Sequence, residues 1–578
     1  MRTKKMKQIS MVLLSVALIG MVGDGCGSTQ SKTQGQTDTE VQQDTQKMEE
    51  EKGGEREKLV IGIQTNTFVT DYDDNYLTNK LEKDLGMEIE FYLLPNNPED
   101  VRTKMSLMAT NGEDIPDVIL TFGAVTQEMI LEFGNKGILI PLNTYLEDTT
   151  LCPNFNAIAK EDMEVIMDTI VSADGNIYGL PKYEPTTWNE TPYRYWINQA
   201  WLDQLGLTVP KTMDELHDVL TAFVNEDPNG NGVKDEIGIY GYTKGGYGEN
   251  ILTALMNSFV FYNGGAQNGG LALDESGETV IAPFVTDEWR EGLKVLNQWF
   301  QEGLIAPSVF TDDATQYKAT LNSDTNIVGL ATVGSHTGNW PDFDNNKNAK
   351  EMEMIPPFEG PSGICYTPYN SYTPSIDFFI TSACKNPKLA MKLADYMYSE
   401  EISYIVRHGE EGVGWTNDPE ICKQYTNSYK ELGITDEIDV VFNYNTDLKI
   451  WAEPSNVFWH NVGPRYFPME KGNAQADGSV PFDPEVRSTQ TEGWNYKYYH
   501  GKHPDQILPL LKYTLEESNE IAMVVTDIDE FIDTSMAEFI TGQRTLDDTG
   551  WESYLNELNG LGLESWLNIA QTSYERSK

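Results

Sequence analysis

Cysteine is scarce and scattered in this chain. Its five residues, Cys26, Cys152, Cys365, Cys384 and Cys422, never stand at the close spacing of a zinc site or a dithiol redox motif. The six histidines include no H-x-x-x-H run, so an imidazole metal centre has no local signature either. Basic residues are short in supply, with 41 Lys and Arg against 90 Asp and Glu, a net charge of −49. Such a surface repels phosphate backbones and anionic headgroups, which excludes nucleic acid as a partner. No G-x-S-x-G elbow, H-E-x-x-H pair or phosphate loop occurs, and no catalytic residue is named by motif. With so many carboxylates, no pair of them signals acid–base chemistry by itself.

Core-forming residues are present in quantity. Hydrophobic residues make up 39% and aromatics 11% of 578 residues, too long a chain for one core, so two or more lobes are expected. The beginning is different. Arg2, Lys4, Lys5 and Lys7 precede an apolar run from Ile9 to Val22, short for a spanning helix and laid out as an export signal. It ends in "MVGDGCGS", where Cys26 behind small residues resembles the lipobox of bacterial lipoproteins, although Gly23 and Asp24 depart from that pattern. Gly27 to Lys58 is Gln, Thr, Ser, Glu and Gly, which reads as a tether. The order implies a signal at 1–25, a lipidated Cys26 and a tether over 26–57, anchoring the protein on the extracellular face of a bacterial membrane, Gram-positive in type. A cleaved secretory peptide is the alternative.

Beyond residue 58 the hydrophobic period alternates between two and four. "KLVIGIQ" and "MEIEFYLL" read as strands, Leu77, Leu81 and Leu85 as a helix stripe closed by Gly86, and Val101, Met105 and Met108 as a second stripe before "PDVIL". This β-α-β-α-β order predicts a parallel sheet, with ligand-contacting residues beyond the strands' carboxyl ends: Gln64, Asn66 and Phe122. Thr286 caps a helix carrying Trp289, Leu293, Leu296 and Phe300, and Asn386-Pro387 opens another. Trp289, Trp299, Trp551 and Trp566 lie on helical stripes and are assigned to the core. Tyr195 and the tryptophans set among loop residues, Trp188, Trp340, Trp415 and Trp459, are the candidates for stacking on a ligand ring.

Six stretches, in order, then carry a resemblance: "YGLP" (178–181), "YWINQAWLDQLGLTVPKTMDEL" (195–216), "EGLKVLNQWFQEGLIAP" (291–307), "CKNPKLAMKLADYMYSEE" (384–401), "GEEGVGWT" (409–416) and the segment from Phe539 to Tyr574. They resemble the extracellular solute-binding lipoproteins of bacterial ABC importers, in the carbohydrate-binding group. The resemblance implies an α/β type II periplasmic-binding-protein-like fold of two lobes, each a mostly parallel sheet flanked by helices, with hinge strands between. Residues 58–180 and about 375–440 would form the N-terminal lobe, and about 181–374 and 441–578 the C-terminal lobe. It further implies a monomer that is not an enzyme, captures an oligosaccharide by lobe closure and presents it to ABC permease subunits.

"DPNGNGVKDE" (227–236) matches the calcium loop of the alginate- and oligosaccharide-binding branch. Asp227, Asn229 and Asn231 occupy positions 1, 3 and 5, Gly232 the turn, the Val233 carbonyl position 7 and Asp235 position 9. Position 12 is Gly238, so the bidentate glutamate of an EF-hand is missing there; Glu236 takes its place in the family's version. Six oxygen donors suit Ca2+ in a structural role, while the bare reading is a turn-rich loop. Two rival functions share parts of these features: a secreted, calcium-containing polysaccharide-degrading enzyme, and a lipoprotein binding peptides or another solute.

Overall fold

Apolar residues on both faces of a strand demand cover on both sides, and the first sheet receives it from helices. In the computed structural model, which describes residues 56–578 except 186, 244–245, 266, 432–438, 443–453, 469–490, 492–493 and 496, β1 (Glu57–Gln64) pairs in parallel with β2 (Met87–Leu94) along its length and with β3 (Val118–Leu120) on its other edge. The intervening helices fall where the periodicity predicts. Tyr76–Leu85 is capped by the Asn75 side chain and stopped at Gly86, whose φ of 66° no β-carbon would welcome, and Pro98–Asn111 follows β2. β4 (Gly179–Tyr183), β11 (Ser375–Ile380) and β14 (Arg465–Tyr466) complete the sheet in the order β14-β4-β11-β3-β1-β2.

The second sheet has the order β10-β5-β9-β6, from β5 (Tyr195–Asn198), β6 (Ile237–Tyr240), β9 (Val328–Thr332) and β10 (Met352–Ile355). Two antiparallel strand pairs, β7 (Ala272–Leu273) with β8 (Val280–Ile281) and β12 (Trp415–Thr416) with β13 (Val441–Phe442), stand apart from both sheets. Helices of the same core include Asp287–Gln301, capped by Thr286, and the 27-residue helix Leu515–Thr541, which opens on a Thr514/Glu517 capping box. The Asn297 amide ties the two by donating to the carbonyls of Phe539 and Ile540, 3.0 Å each.

Two separate hydrophobic cores result. One is filled by residues of 59–183 and 376–467, the other by residues of 195–358 and 499–574. The chain crosses between them after β4, between β10 and β11, and after Phe467. Two expectations need correction. The first sheet is mostly parallel as expected, but the second is not: β5 runs antiparallel to both neighbours. In the first, β11 is antiparallel to β3 and β4 because it starts where they end: β4 leaves toward the other core and β11 arrives from it. The second correction is the boundary at 441. Phe458, Trp459, Val462 and Phe467 pack into the first core, and β14 joins the first sheet, so the last crossing comes after residue 467.

Candidate functional site

The carboxyl ends of β3 and β4 and the start of β11 open onto a cavity of about 730 Å³. From the first core it is lined by Phe122, Lys182, Glu184 and Arg407. Asn189, Glu190 and Gln267 line it from the second, and the crossing segment 370–374 forms one wall. A volume in the range of about 300–1,000 Å³ is that of a small-molecule site, and the position is where open α/β sheets hold ligands.

Phe122 is the exposed apolar surface of the cavity, at 45% accessibility. Its turn is fixed from below. The Phe122 N–H donates to Gln64 Oε1 (2.8 Å), whose Nε2 donates to the Asn96 carbonyl (2.8 Å), and the Gly123 N–H donates to Asp377 Oδ1 (2.7 Å). Lys182 Nζ lies 4.2 Å from the centre of the Phe122 ring. Behind it, buried Glu184 bridges two arginines. Arg407 Nε is 2.6 Å from its Oε1, and Arg465 grips Oε2 through Nε (3.0 Å) and Nη2. Burial would push the Glu184 carboxyl up, but Arg407, Arg465 and Lys182 outweigh it and hold the group down at about 2. Burial acts alone on Glu190 and pushes it up to about 7. Tyr372 stitches two crossings together: its hydroxyl accepts from the Glu184 N–H and donates to the Lys182 carbonyl (3.2 Å), with its ring edge-on to Tyr183.

The loop 227–236 lies away from this cavity, between helix Met213–Asn225 and β6. The Asp227 carboxylate accepts from the N–H groups of Asn231 (3.1 Å) and Gly232 (2.9 Å), and the Asn231 amide donates to both oxygens of Asp235 (3.0 and 3.2 Å). Glu236 Oε1 is buried with no hydrogen-bond partner, and burial followed by the charges of Asp235 and Asp227 raises its carboxyl above the usual range. Among the described residues no three His, Cys, Asp or Glu side chains converge closely enough to form a metal site.

Residues 95–403 match the family described as bacterial extracellular solute-binding protein. The chain belongs to that family. Among relatives of this solute-binding protein, the fructooligosaccharide ABC transporter substrate-binding protein FusA of Streptococcus pneumoniae (serotype 4, strain ATCC BAA-334 / TIGR4) is 26% identical over 529 residues, 88% of each chain. Lipoprotein LipO of Bacillus subtilis (strain 168) is 24% identical over 345 residues, 57% of this chain and 62% of LipO. The structure of S. pneumoniae FusA with kestose superposes with a TM-score of 0.69 at 24% identity, covering 90% of this chain and 99% of FusA. An EF-hand mutant of FusA gives 0.68 at 23% identity, covering 90% and 99%. The alginate-binding protein AlgQ2, solved without calcium ion, gives 0.64 at 21% identity, also covering 90% and 99%. These likenesses establish the fold, and the family is one of extracellular binding proteins, not enzymes.

Of the residues singled out in this solute-binding protein's sequence, Phe122 lines the cavity and Gln64 supports its turn. Asn66 instead shapes a turn of its own: its Oδ1 accepts from the Phe68 N–H and its N–H donates to the Tyr72 hydroxyl. Trp188 stands beside the lining residues Asn189 and Glu190, with the Arg194 guanidinium 3.4 Å over its ring. The other four belong to the cores. Tyr195 lies in β5 against Phe358, and Trp340 packs on Trp196. The Trp415 indole donates to the Gly409 carbonyl (2.9 Å), and that of Trp459 to Thr78 Oγ1 (2.8 Å). The loops of Trp340 and Trp459 fold inward, and these two rings pin them to the cores. The sequence reading missed Lys182, Glu184, Glu190, Gln267, Tyr372 and Arg407. The signal for the first two was available: charges alternating along "GLPKYE" at an apolar strand's end, beside the first crossing. Cys26 lies outside the described residues.

Proposed function

We propose that the chain captures an oligosaccharide in the 730 Å³ cavity and hands it unaltered to the permease subunits of an ABC importer. The observation that carries this reading is a ligand-sized cavity lined from two separately packed cores. In this reading the cores act as two lobes. Phe122 offers a ring face, Gln267, Asn189 and Asn370 offer amides, and Glu190 offers an acceptor, the mixture that sugar rings and hydroxyls require. A ligand touching both walls favours the closed arrangement by the difference between its affinities for closed and open states, and needs no covalent step. The resemblance to FusA at 26% identity supports a saccharide over a peptide. Small-angle scattering of the full chain should show a smaller radius of gyration with a bound oligosaccharide, recovered from the mixture intact. Release of new reducing ends, or compaction with peptides only, overturns the reading.

Calcium is the second part of the proposal. Asp227, Asn229, Asn231, the Val233 carbonyl, Asp235 and Glu236 would hold the ion. The buried, unpartnered Glu236 oxygen, on which the charges of Asp235 and Asp227 act, is one that a hard cation would relieve once the loop draws its donors together. The ion supplies crosslinking of the loop, and no binding step passes through it. Because a cation bound by the native state alone raises stability by mass action, chelation with excess EDTA should lower the melting temperature and added Ca2+ restore it. An unchanged melting curve counts against the site. Finally, the Cys26 segment would anchor the protein by lipid on the outer face of the membrane, as its resemblance to a lipobox and the name of its relative LipO support.

A further inference from the structure

With 90 acidic residues against 41 basic ones, chance would line a cleft of this chain with carboxylates. At this cavity the two signs are instead balanced, with Lys182 and Arg407 beside Glu184 and Glu190 in the lining. Three cationic side chains, Lys182, Arg407 and Arg465, gather around the carboxylates of Glu184 and Asp377. Arg407 and Arg465 are engaged by Glu184, and Asp377 Oδ1 by the Gly123 N–H and the Ser375 hydroxyl (2.9 Å). Lys182 is different. It lines the cavity, and its ammonium makes no hydrogen bond or ion pair among the described residues; the ring face of Phe122 and, at longer range, the Asp377 and Glu184 carboxylates are its compensation. A buried cation with no directly bonded partner is unfavourable unless something charged completes its company. A satisfied structural lysine would show a carboxylate or carbonyl on Nζ, and this one, in the cavity lining, has neither among the described residues.

We propose that the saccharide taken by this cleft carries a carboxylate, as a uronic acid unit does, and that Lys182 Nζ receives it. The assignment rests on the saccharide-binding reading above and narrows it. The local electrostatics agree. Burial presses the Lys182 ammonium down to about 8, with Asp377 and Glu184 pulling it up and Arg465 and Arg407 pressing it further. An incoming anion favours the charged form that burial penalises. The remaining acid in the lining, Glu190, is pushed up to about 7 by burial, so near neutrality it is only part-ionised and opposes an anion weakly. A neutral sugar would meet the same lysine with hydroxyls alone, leaving its ammonium without a directly bonded charged partner.

Calorimetric titration of the full chain distinguishes these cases, using oligogalacturonate and oligomannuronate beside neutral glucose and fructose oligomers of matched length. A uronate oligomer is expected to bind, and its affinity to fall as ionic strength rises. In Lys182→Gln that affinity should drop at least about tenfold, because the ligand charge is left without its partner. Lys182→Arg should retain most of it, and both variants should melt as the parent does. If neutral oligomers bind and uronates do not, the inference fails while the saccharide reading stands. Binding of neither class overturns both. Unchanged uronate affinity in a folded Lys182→Gln variant overturns the role of Lys182.

Discussion

Glu184→Gln should lower the stability of the first core by about 3–5 kcal/mol, the usual consequence of removing one partner from a buried ion cluster. Arg465 is 0% exposed and the replaced carboxylate is its only ionic partner among the described residues, so its guanidinium would stay buried with amide and carbonyl acceptors in place of a charge. Arg407 would lose its 2.6 Å contact with the same group. Urea unfolding of the variant and the parent at pH 7 measures the difference. Its pH dependence identifies the cause. The folded carboxyl titrates at about 2, below its ordinary value of 4.5, so its contribution is complete above pH 4.5 and is lost as pH falls toward 2. The gap between parent and variant should therefore close over that interval. A gap that is constant from pH 7 to 2.5 would show that packing, not the charge, is what Glu184 provides.

Trp459→Ala and Phe122→Ala should have opposite effects. Trp459 is 0% exposed, edge-on to Phe91 and bonded to Thr78, so truncation removes a large buried ring and leaves a cavity, at a cost of about 3–5 kcal/mol. At a temperature where it remains folded, its ligand affinity should match the parent's. Phe122→Ala takes away a half-exposed ring at the mouth of a turn held by backbone bonds, so stability should change little while affinity for the oligosaccharide falls sharply. Chemical unfolding and ligand titration on both variants separate the two roles. Weakened binding in a fully folded Trp459→Ala protein would return that residue to the site.

That contrast marks how far the sequence could be read. Local features were legible: the Leu77-Leu81-Leu85 stripe, the Thr286 and Asn386 caps and the β1–β2 pairing follow from period and capping chemistry, which act over a few residues. Phe122 was found because the carboxyl end of a strand is a position as well as a residue type. The loop tryptophans misled because Gly, Asn and Pro around an aromatic mark irregular backbone, and irregular backbone is not the same as exposed backbone. Trp340 and Trp459 sit in loops that bend inward, a fact set by distant partners such as Trp196 and Thr78. The charged cluster was hidden for the same reason. Glu184, Arg407 and Arg465 are 223 and 281 positions apart in their pairings with the glutamate, and only the fold brings them together.

The place of β11 in the middle of the first sheet reaches into how the molecule is made. Its neighbours β3 and β4 have been synthesised by residue 183, yet the strand that joins them begins at Ser375, and the edge strand beside β4 at Arg465. The first sheet therefore cannot be completed until residues 195–358 of the other core have been made.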